Sequence, residues 1–326
     1  MKWLVVVLLV QVVGVSHGTA EMPLKLISTI PLAGVKGRFD HFAIDTKGKL
    51  LFIAALGNNT LEVIDLPAGR RSQSVAGMSK PTGVQYLSEL NQILVANGDD
   101  GTLKVLDGVD FKLKLNLGEL SDADNLRFDP KTKLVWLGYG DGALAIIDAV
   151  APKVVDTVKL AAHPESFQLE SNGIRIFVNL PDAKQIAVVD REKRTVVDHW
   201  PMNEFRSNFP MALDEPNHRL FVGCRKPPRL VILDTASGRR VADTAISADT
   251  DDLFYDAKRN RLYISCGEGA IDVVHVEVGN SFKLLAKVQT SPGARTCFFS
   301  PELDCLYLAV PERGNHKAEV RVYKPE

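Results

Sequence analysis

The stretch LFIAALGNNTLEVID, residues 51–65, contains two short apolar runs separated by a turn sequence, and it ends on an aspartate. Each run has the length of one β-strand. The Gly and Asn residues between the runs tolerate the positive φ that tight hairpins require. The stretch therefore predicts a β-hairpin whose second strand ends at Asp65.

The end of this hairpin, a run of apolar residues followed by Asp, recurs along the chain. It occurs at Asp65, Asp107, Asp148, Asp190 and Asp234, and in altered form at His275 and Tyr323. The successive separations are 42, 41, 42, 44, 41 and 48 residues. A second apolar run precedes each ending, and a strand-like run flanks each pair on either side. Four short strands in each of seven repeats predict an all-β fold, a seven-bladed β-propeller with four-stranded blades.

The two ends of the chain share the last repeat. Little room for a fourth strand remains after Tyr323, whereas the run LKLISTI, residues 24–30, precedes the first complete repeat. We predict that this N-terminal strand completes the last blade, because the pairing joins the chain ends and removes an exposed sheet edge.

The first twenty residues have the pattern of a secretory signal peptide. Lys2 supplies one positive charge, an apolar run extends from residue 3 to residue 15, and small residues near Ala20 suit a cleavage site. We predict a signal peptide at 1–20 and a single propeller domain at 21–326. The protein would then be exported, either periplasmic or secreted, with no membrane span after cleavage. An uncleaved anchor is the alternative, although the run is shorter than the roughly 20 residues that span a bilayer.

The composition excludes some partners. The formal net charge is -1, and no basic run with interleaved aromatic residues is present, so we expect no nucleic-acid partner. The cysteines Cys224, Cys266, Cys297 and Cys305 lie on or beside predicted strands and lack metal-ligand spacing. Export would permit disulfides, but buried free thiols agree better with these positions. We expect the mature protein to be a monomer.

The first strands of a propeller line its central channel, so equivalent positions in the repeats form rings. One ring consists of Asp40, Thr82, Asp124, Glu165, Phe209, Asp251 and Arg295, and the next of His41, Gly83, Asn125, Ser166, Pro210, Asp252 and Thr296. We predict a polar collar at the channel mouth that binds a ligand through Asp40, His41, Asp124, Asn125, Glu165, Asp251, Asp252 and Arg295. The local sequences RFDH, DADN, HPES and DTDD are dissimilar, which favours a binding site. If these residues served only to form a turn, the same sequence could have been used in every repeat.

Crowded carboxylates in a partly enclosed channel raise each other's pKa and need compensation. Arg38, Arg206 and Arg295 are candidates for it, as are water and a bound cation. Ca²⁺ or Mg²⁺ suits carboxylate oxygens, His41 would add a ligand for zinc, and an organic cation fits equally well. The alternative is that these acids form turns and are solvated. The cofactor is therefore unknown, with a divalent cation as one option.

Two further features have simpler interpretations. The recurrent Asp of the third strand, as at Asp65, predicts a turn or an inter-blade hydrogen bond, because five repeats use the same solution. The basic stretch CRKPPR, residues 224–229, predicts a solvated loop, with contact to a protein partner as the alternative.

The repeat sequences also resemble a known family. FIAALGNNTLEVID (52–65), LVANGDDGTLKVLD (94–107) and FVNLPDAKQIAVVD (177–190) are similar to the YVTN repeat of exported bacterial seven-bladed propellers of the YncE-like kind. The literal YVTN tetrad is not matched. The resemblance implies a binding or scaffold module and no particular reaction. Related repeats also occur in propeller lactonases and in electron-transfer enzymes with haem d1, so the fold alone does not choose a function.

Three functions follow from these observations. The first is an exported binding propeller that holds a small molecule or cation at the channel mouth. The second is a lactonase-like hydrolase in which a metal polarises a carbonyl and His41 or a ring carboxylate moves a proton. The third is a scaffold for a protein partner. The sequence contains no GxSxG, HExxH, phosphate-binding Gly-rich loop or CxxCH motif, so whether the protein is an enzyme stays open.

Overall fold

A computed structural model describes residues 22–277, 279 and 281–326. It contains seven four-stranded antiparallel sheets arranged as blades around a central channel, which confirms the predicted propeller. The predicted signal peptide at 1–20 lies outside the described residues. In the part of the chain that is described, no helix has the length and apolar character needed to cross a membrane.

Each of the first six blades is formed by four consecutive strands. Blades 1 to 3 consist of β2 (Phe42–Asp45), β3 (Leu50–Ala55), β4 (Thr60–Asp65) and β5 (Arg70–Val75); β6 (Pro81–Leu87), β7 (Gln92–Asn97), β8 (Thr102–Asp107) and β9 (Leu113–Leu117); and β10 (Leu126–Asp129), β11 (Leu134–Tyr139), β12 (Ala143–Asp148) and β13 (Lys153–Lys159). Blades 4 to 6 consist of β14 (Phe167–Leu169), β15 (Arg175–Leu180), β16 (Gln185–Asp190) and β17 (Thr195–Pro201); β18 (Arg206–Asp214), β19 (Arg219–Lys226), β20 (Pro228–Asp234) and β21 (Arg240–Ala245); and β22 (Thr250–Asp256), β23 (Arg261–Cys266), β24 (Ala270–Val276) and β25 (Phe282–Gln289).

Blade 7 is assembled from both ends of the chain. It contains β26 (Cys297–Ser300), β27 (Cys305–Val310) and β28 (Glu319–Pro325), and its outer strand is β1 (Leu24–Pro31). β1 pairs antiparallel with β28, from Leu24 opposite Pro325 to Pro31 opposite Glu319. The predicted closure is confirmed: β1 covers the edge of β28 and joins the two ends of the chain in one sheet.

The hairpin of residues 51–65 has the predicted form. β3 pairs with β4 so that Leu50 faces Asp65 and Ala55 faces Thr60. A three-residue 3₁₀ turn joins the strands, and Asn59 has a φ of 57°, a left-handed conformation that Asn adopts more readily than most residues.

The hydrophobic core lies between neighbouring blades. Trp136 and Ile146 of blade 3, for example, pack with Phe167 and Val178 of blade 4. The middle strands of the blades are almost wholly buried, whereas the outer strands are largely exposed. Burying each large apolar side chain contributes about 1.5–3 kcal/mol, so face-to-face contact between blades is the main source of stability.

The cysteines are free, as predicted. Cys224, Cys266 and Cys297 are buried and Cys305 is half-buried. Burial raises the pKa of Cys224 to about 12, so its thiol stays protonated and behaves as a small apolar group.

Candidate functional site

A cavity of about 270 Å³ lies where the innermost strands of the blades begin, and we call it the mouth cavity. Every member of the first predicted ring lines it: Asp40, Thr82, Asp124, Glu165, Phe209, Asp251 and Arg295. The alignment of repeats therefore placed one residue of each blade correctly at the channel mouth.

Equivalent backbone hydrogen bonds position three of the acids. The amide of Asp40 donates to Ala54 O at 2.8 Å, that of Asp124 to Gly138 O at 2.9 Å, and that of Glu165 to Asn179 O at 3.0 Å. Each acceptor lies on the second strand of the same blade. The repeat thus holds the backbone in one geometry and leaves the side chain free to differ from blade to blade.

The second predicted ring lies one step deeper. His41 and Asn125 line both the mouth cavity and a larger chamber beneath it, whereas Asp252 lines only the deeper chamber. His41 Nε2 lies 3.7 Å from Asp40 Oδ1, and its Nδ1 lies 3.7 Å from Asp252 Oδ1. All the predicted site residues except Asp252 therefore line the mouth cavity, and His41 connects Asp252 to it.

Asp249 and Asp251 of DTDD are compensated by arginines on what we call the arginine-paired side of the collar. Arg295 Nη1 donates to both oxygens of Asp249, at 2.9 and 3.0 Å, and Arg295 Nε lies 2.9 Å from Asp251 Oδ2. Arg225 Nη2 donates to Asp251 Oδ1. The guanidinium of Arg225 also lies 3.8 Å from the centroid of the Phe209 ring, in cation–π geometry.

Arg225 is a residue that the sequence reasoning missed. The prediction of a solvated loop at 224–229 is wrong at this position, because Arg225 belongs to β19 and lines the mouth cavity. The equivalent positions after the second strands hold Leu56, Gly98, Gly140, Pro181, Gly267 and Pro311. Arg225 is the one charged residue among these seven equivalent positions, and this difference is the sequence signal that could have identified it. Arg206, which was expected to compensate the collar, forms no ion pair with the ring in the described chain.

The opposite part of the collar, which we call the acid-rich side, contains Asp40, Asp124 and Glu165. Burial, followed by the nearby Asp124 and Asp251 carboxylates, raises the pKa of Asp40 well above its usual value, although Arg38 lies 3.2 Å away and opposes the shift. Burial and then Asp124 raise the pKa of Glu165 to about 8. The Glu165 carboxyl therefore holds its proton near neutral pH, because burial and the neighbouring carboxylates outweigh the positive charge that faces it.

His163 is the second missed residue. Its Nδ1 lies 2.6 Å from Gly140 O, where the nitrogen donates to the carbonyl, and its Nε2 lies 3.8 Å from Asp124 Oδ2. The nearby Asp124 carboxylate raises the pKa of His163 to about 9, so the imidazole carries a positive charge at neutral pH. His163 occupies the position two residues before the ring, as do Arg38, Lys80 and Asp122, which also line the cavity.

The collar lacks the arrangement of a ready-made metal centre. Among the described residues, no three His, Cys, Asp or Glu side chains converge closely enough to hold a metal ion. The calcium, magnesium and zinc options raised by the sequence would therefore require the side chains to move.

The recurrent aspartates of the third strands have the predicted turn role. Asp148 Oδ1 accepts from the amides of Val150 and Ala151, at 2.8 and 3.0 Å. Asp190 Oδ1 accepts in the same way from Glu192 and Lys193. The equivalent residues Asp65, Asp107 and Asp234 also accept backbone amides within the following turn.

Comparison with known proteins gives a fold and a distant family resemblance. No family model matches the chain. The uncharacterized protein YncE of Salmonella typhi is 22% identical over 259 residues, and YncE of Salmonella typhimurium is equally similar. The aligned region covers 78% of this chain but only 60% of the length of these relatives.

Solved structures agree with the fold. A chain in the crystal structure of the mitotic checkpoint complex superposes with a TM-score of 0.78 at 11% identity and covers 99% of both chains. A chain of hydrazine synthase from Kuenenia stuttgartiensis superposes with a TM-score of 0.76 at 16% identity, over 88% of this chain and 97% of that one. Such low identities carry information about architecture alone. With its seven blades and closure by β1, the chain is a seven-bladed β-propeller that is distantly similar to YncE.

Proposed function

We propose that the chain is an exported binding propeller that holds a small cationic ligand on the acid-rich side of its mouth cavity. The observation that supports it is the convergence of Asp40, Asp124 and Glu165 on one cavity, where Arg38 pairs with Asp40 and His163 lies near Asp124. Three carboxyls in one enclosed space are costly to ionise together, so a cation placed among them would be stabilised by their charge.

An organic amine suits the cavity better than a bare metal ion. The volume of about 270 Å³ is far larger than one ion needs, and the acids stand apart rather than converging on a point. An ammonium group donates hydrogen bonds to several separated oxygens, which is the arrangement that the collar offers.

Export is the second part of the proposal. It is supported by the charged and apolar pattern of residues 1–20, which predicts a signal peptide and a periplasmic or secreted destination. The mass of the protein recovered from the exported fraction tests whether these residues are removed.

Cation binding is tested by isothermal titration calorimetry with putrescine and, separately, with CaCl₂, at pH 7 in two buffers of different ionisation enthalpy. Because Glu165 has a pKa of about 8, a bound cation should displace its proton, and we expect release of about one proton per ligand. Affinity should rise as the pH increases from 6 to 9, since Glu165 ionises and His163 loses its charge over that interval.

The decisive variant is Asp124→Asn combined with Glu165→Gln, which should abolish binding while preserving the fold. Its matched control is Asp107→Asn with Asp148→Asn, which removes two carboxylates from turns and should leave binding unchanged. Binding of neither probe, or binding without proton release, would contradict the proposal. Binding of CaCl₂ but not putrescine would replace the amine by a metal ion.

A further inference from the structure

The chamber beneath the mouth cavity has a volume of about 370 Å³, within the range of small-molecule sites, and we call it the inner chamber. It is lined largely by one more ring of equivalent residues, each paired with the middle of the second strand of its blade. In this ring, unlike the collar, the polar residues come from three consecutive blades and the residues from the other four blades are apolar.

Two walls of the inner chamber differ in chemistry. Gln85, Arg127 and Gln168 come from three consecutive blades and form a polar wall. Phe254 and Phe298 come from blades 6 and 7 and form an aromatic wall, with their ring centroids 5.6 Å apart and the rings inclined by 71°. Small residues at Ala43 and Ala212 separate the two walls and leave the space between them open.

Arg127 is the charged group of the polar wall, and no carboxylate in contact with it compensates its charge. Its Nη1 donates to Asn125 Oδ1 at 3.2 Å and to Leu126 O at 2.8 Å. In the described part of the chain no carboxylate forms an ion pair with it, and no acceptor contacts its Nε or Nη2. By contrast, Arg71, Arg175, Arg191, Arg259 and Arg321 each pair with a carboxylate.

The surroundings of Arg127 make this arrangement costly for the protein alone. Desolvation lowers the pKa of its half-buried guanidinium, although Asp252 and Asp124 oppose the shift and the Phe167 ring centroid lies 5.5 Å away. The nearest acid that also lines the chamber, Asp252, accepts the Cys297 amide at 2.8 Å and approaches His41. Buried charges are normally paired, so an enclosed guanidinium with free donors is suited to an anion from outside.

We propose that the inner chamber binds a small aromatic carboxylate, with the carboxylate on Arg127 and the ring against Phe254 and Phe298. The guanidinium presents two parallel N–H groups that match the two oxygens of a carboxylate. The amides of Gln85 and Gln168 each use one N–H on a backbone carbonyl, Tyr86 O and Met211 O respectively. Each retains a second N–H for the ligand. This site differs from the mouth cavity in position and in the sign of the charge it accepts.

The test uses 2-naphthoate and its neutral analogue 2-naphthamide, titrated into the full-length mature protein at pH 7. We expect the wild type to bind the naphthoate at least about tenfold more tightly than the amide, since a charge-assisted hydrogen bond to Arg127 is lost with the amide. Arg127→Gln should reduce naphthoate affinity to the level of the amide and leave the amide unaffected. The control Lys153→Gln removes an exposed charge from the same blade and should change neither affinity.

Equal affinity for the two probes, absence of naphthoate binding at millimolar concentration, or unchanged binding in Arg127→Gln would each overturn the proposal. If Arg127→Gln does not fold, Phe254→Ala provides the second test. It should lower the affinity for both probes by a similar factor, because it removes half of the aromatic wall that both probes contact. Unchanged binding of both probes in Phe254→Ala would also overturn the proposal.

Discussion

The acids of the channel mouth and the aspartates that end the third strands differ in how the protein stabilises their charge. Asp148 and its equivalents accept backbone amides within one turn, and hydrogen bonding lowers the pKa of Asp148, Asp190 and Asp234. At the mouth, burial and neighbouring carboxylates raise the pKa of Asp40 and Glu165. A repeated acid that is locally satisfied serves the turn, whereas an unsatisfied acid that varies between repeats marks a candidate site.

This difference gives the two sets of acids opposite effects on the pH dependence of stability. A lowered folded-state pKa stabilises the protein above the ordinary carboxyl pKa, and the contribution is lost as the pH falls through the lowered value. For Glu165 the unfolded chain releases its proton near the ordinary pKa, while the folded protein keeps it to about pH 8. Stability contributed by Glu165 therefore decreases as the pH rises through that interval.

The largest expected effect is on the arginine-paired side. Arg295→Met leaves Asp249 without its bidentate partner and Asp251 with one arginine fewer. Because these groups are partly buried, we expect a loss of roughly 2–3 kcal/mol in the free energy of unfolding, between the values for exposed and buried ion pairs. Chemical denaturation measures it.

The matched control is Arg194→Met, which breaks an exposed ion pair with Asp156. It should cost less than about 1 kcal/mol. If the two variants lose the same amount of stability, compensation by Arg295 does not explain how Asp249 and Asp251 coexist.

A smaller effect of the opposite sign is expected on the acid-rich side. Glu165→Gln removes a carboxyl that the folded protein holds protonated, so it should stabilise the protein at pH 8 relative to pH 5. After allowance for solvent screening, the difference should be roughly 1–2 kcal/mol. Melting temperatures of wild type and variant at the two pH values measure it, and an identical difference at both would show that the Glu165 pKa is not raised.

The smallest effect is expected at the turns. Asp148→Ala removes the acceptor for the amides of Val150 and Ala151, which water can partly replace because the turn is exposed. We expect the melting temperature to fall by about 1–2 °C at pH 7, with no effect on ligand binding. Loss of ligand binding in this variant would contradict the assignment of separate roles to the turn acids and the collar acids.

Much of this molecule could be predicted from its repeat. The spacing of the third-strand aspartates predicted seven blades, and the short last repeat predicted that residues 24–30 close the ring. The same alignment predicted which residue at or just before the first strand of each blade reaches the mouth cavity. Periodicity carries this information because each blade uses the same backbone path, so one register applies to all seven.

The sequence could not predict which collar residues pair with each other. Arg225 lies near the end of a second strand and His163 precedes a first strand, yet both reach the acids of the mouth. Such contacts join different blades or loops, and their distances depend on how the blades are arranged around the channel.

The sequence by itself determined the architecture, the closure and the polar character of the mouth, because these follow from periodicity and from the alternation of side chains along strands. Only the tertiary structure decided how the charge is distributed. It placed two arginines on one side of the collar, raised the pKa of Asp40 and Glu165 on the other, and enclosed Arg127 opposite two phenylalanines. The physical reason is that burial and distance set the energy of a charge, and both arise only when the seven blades surround a common channel.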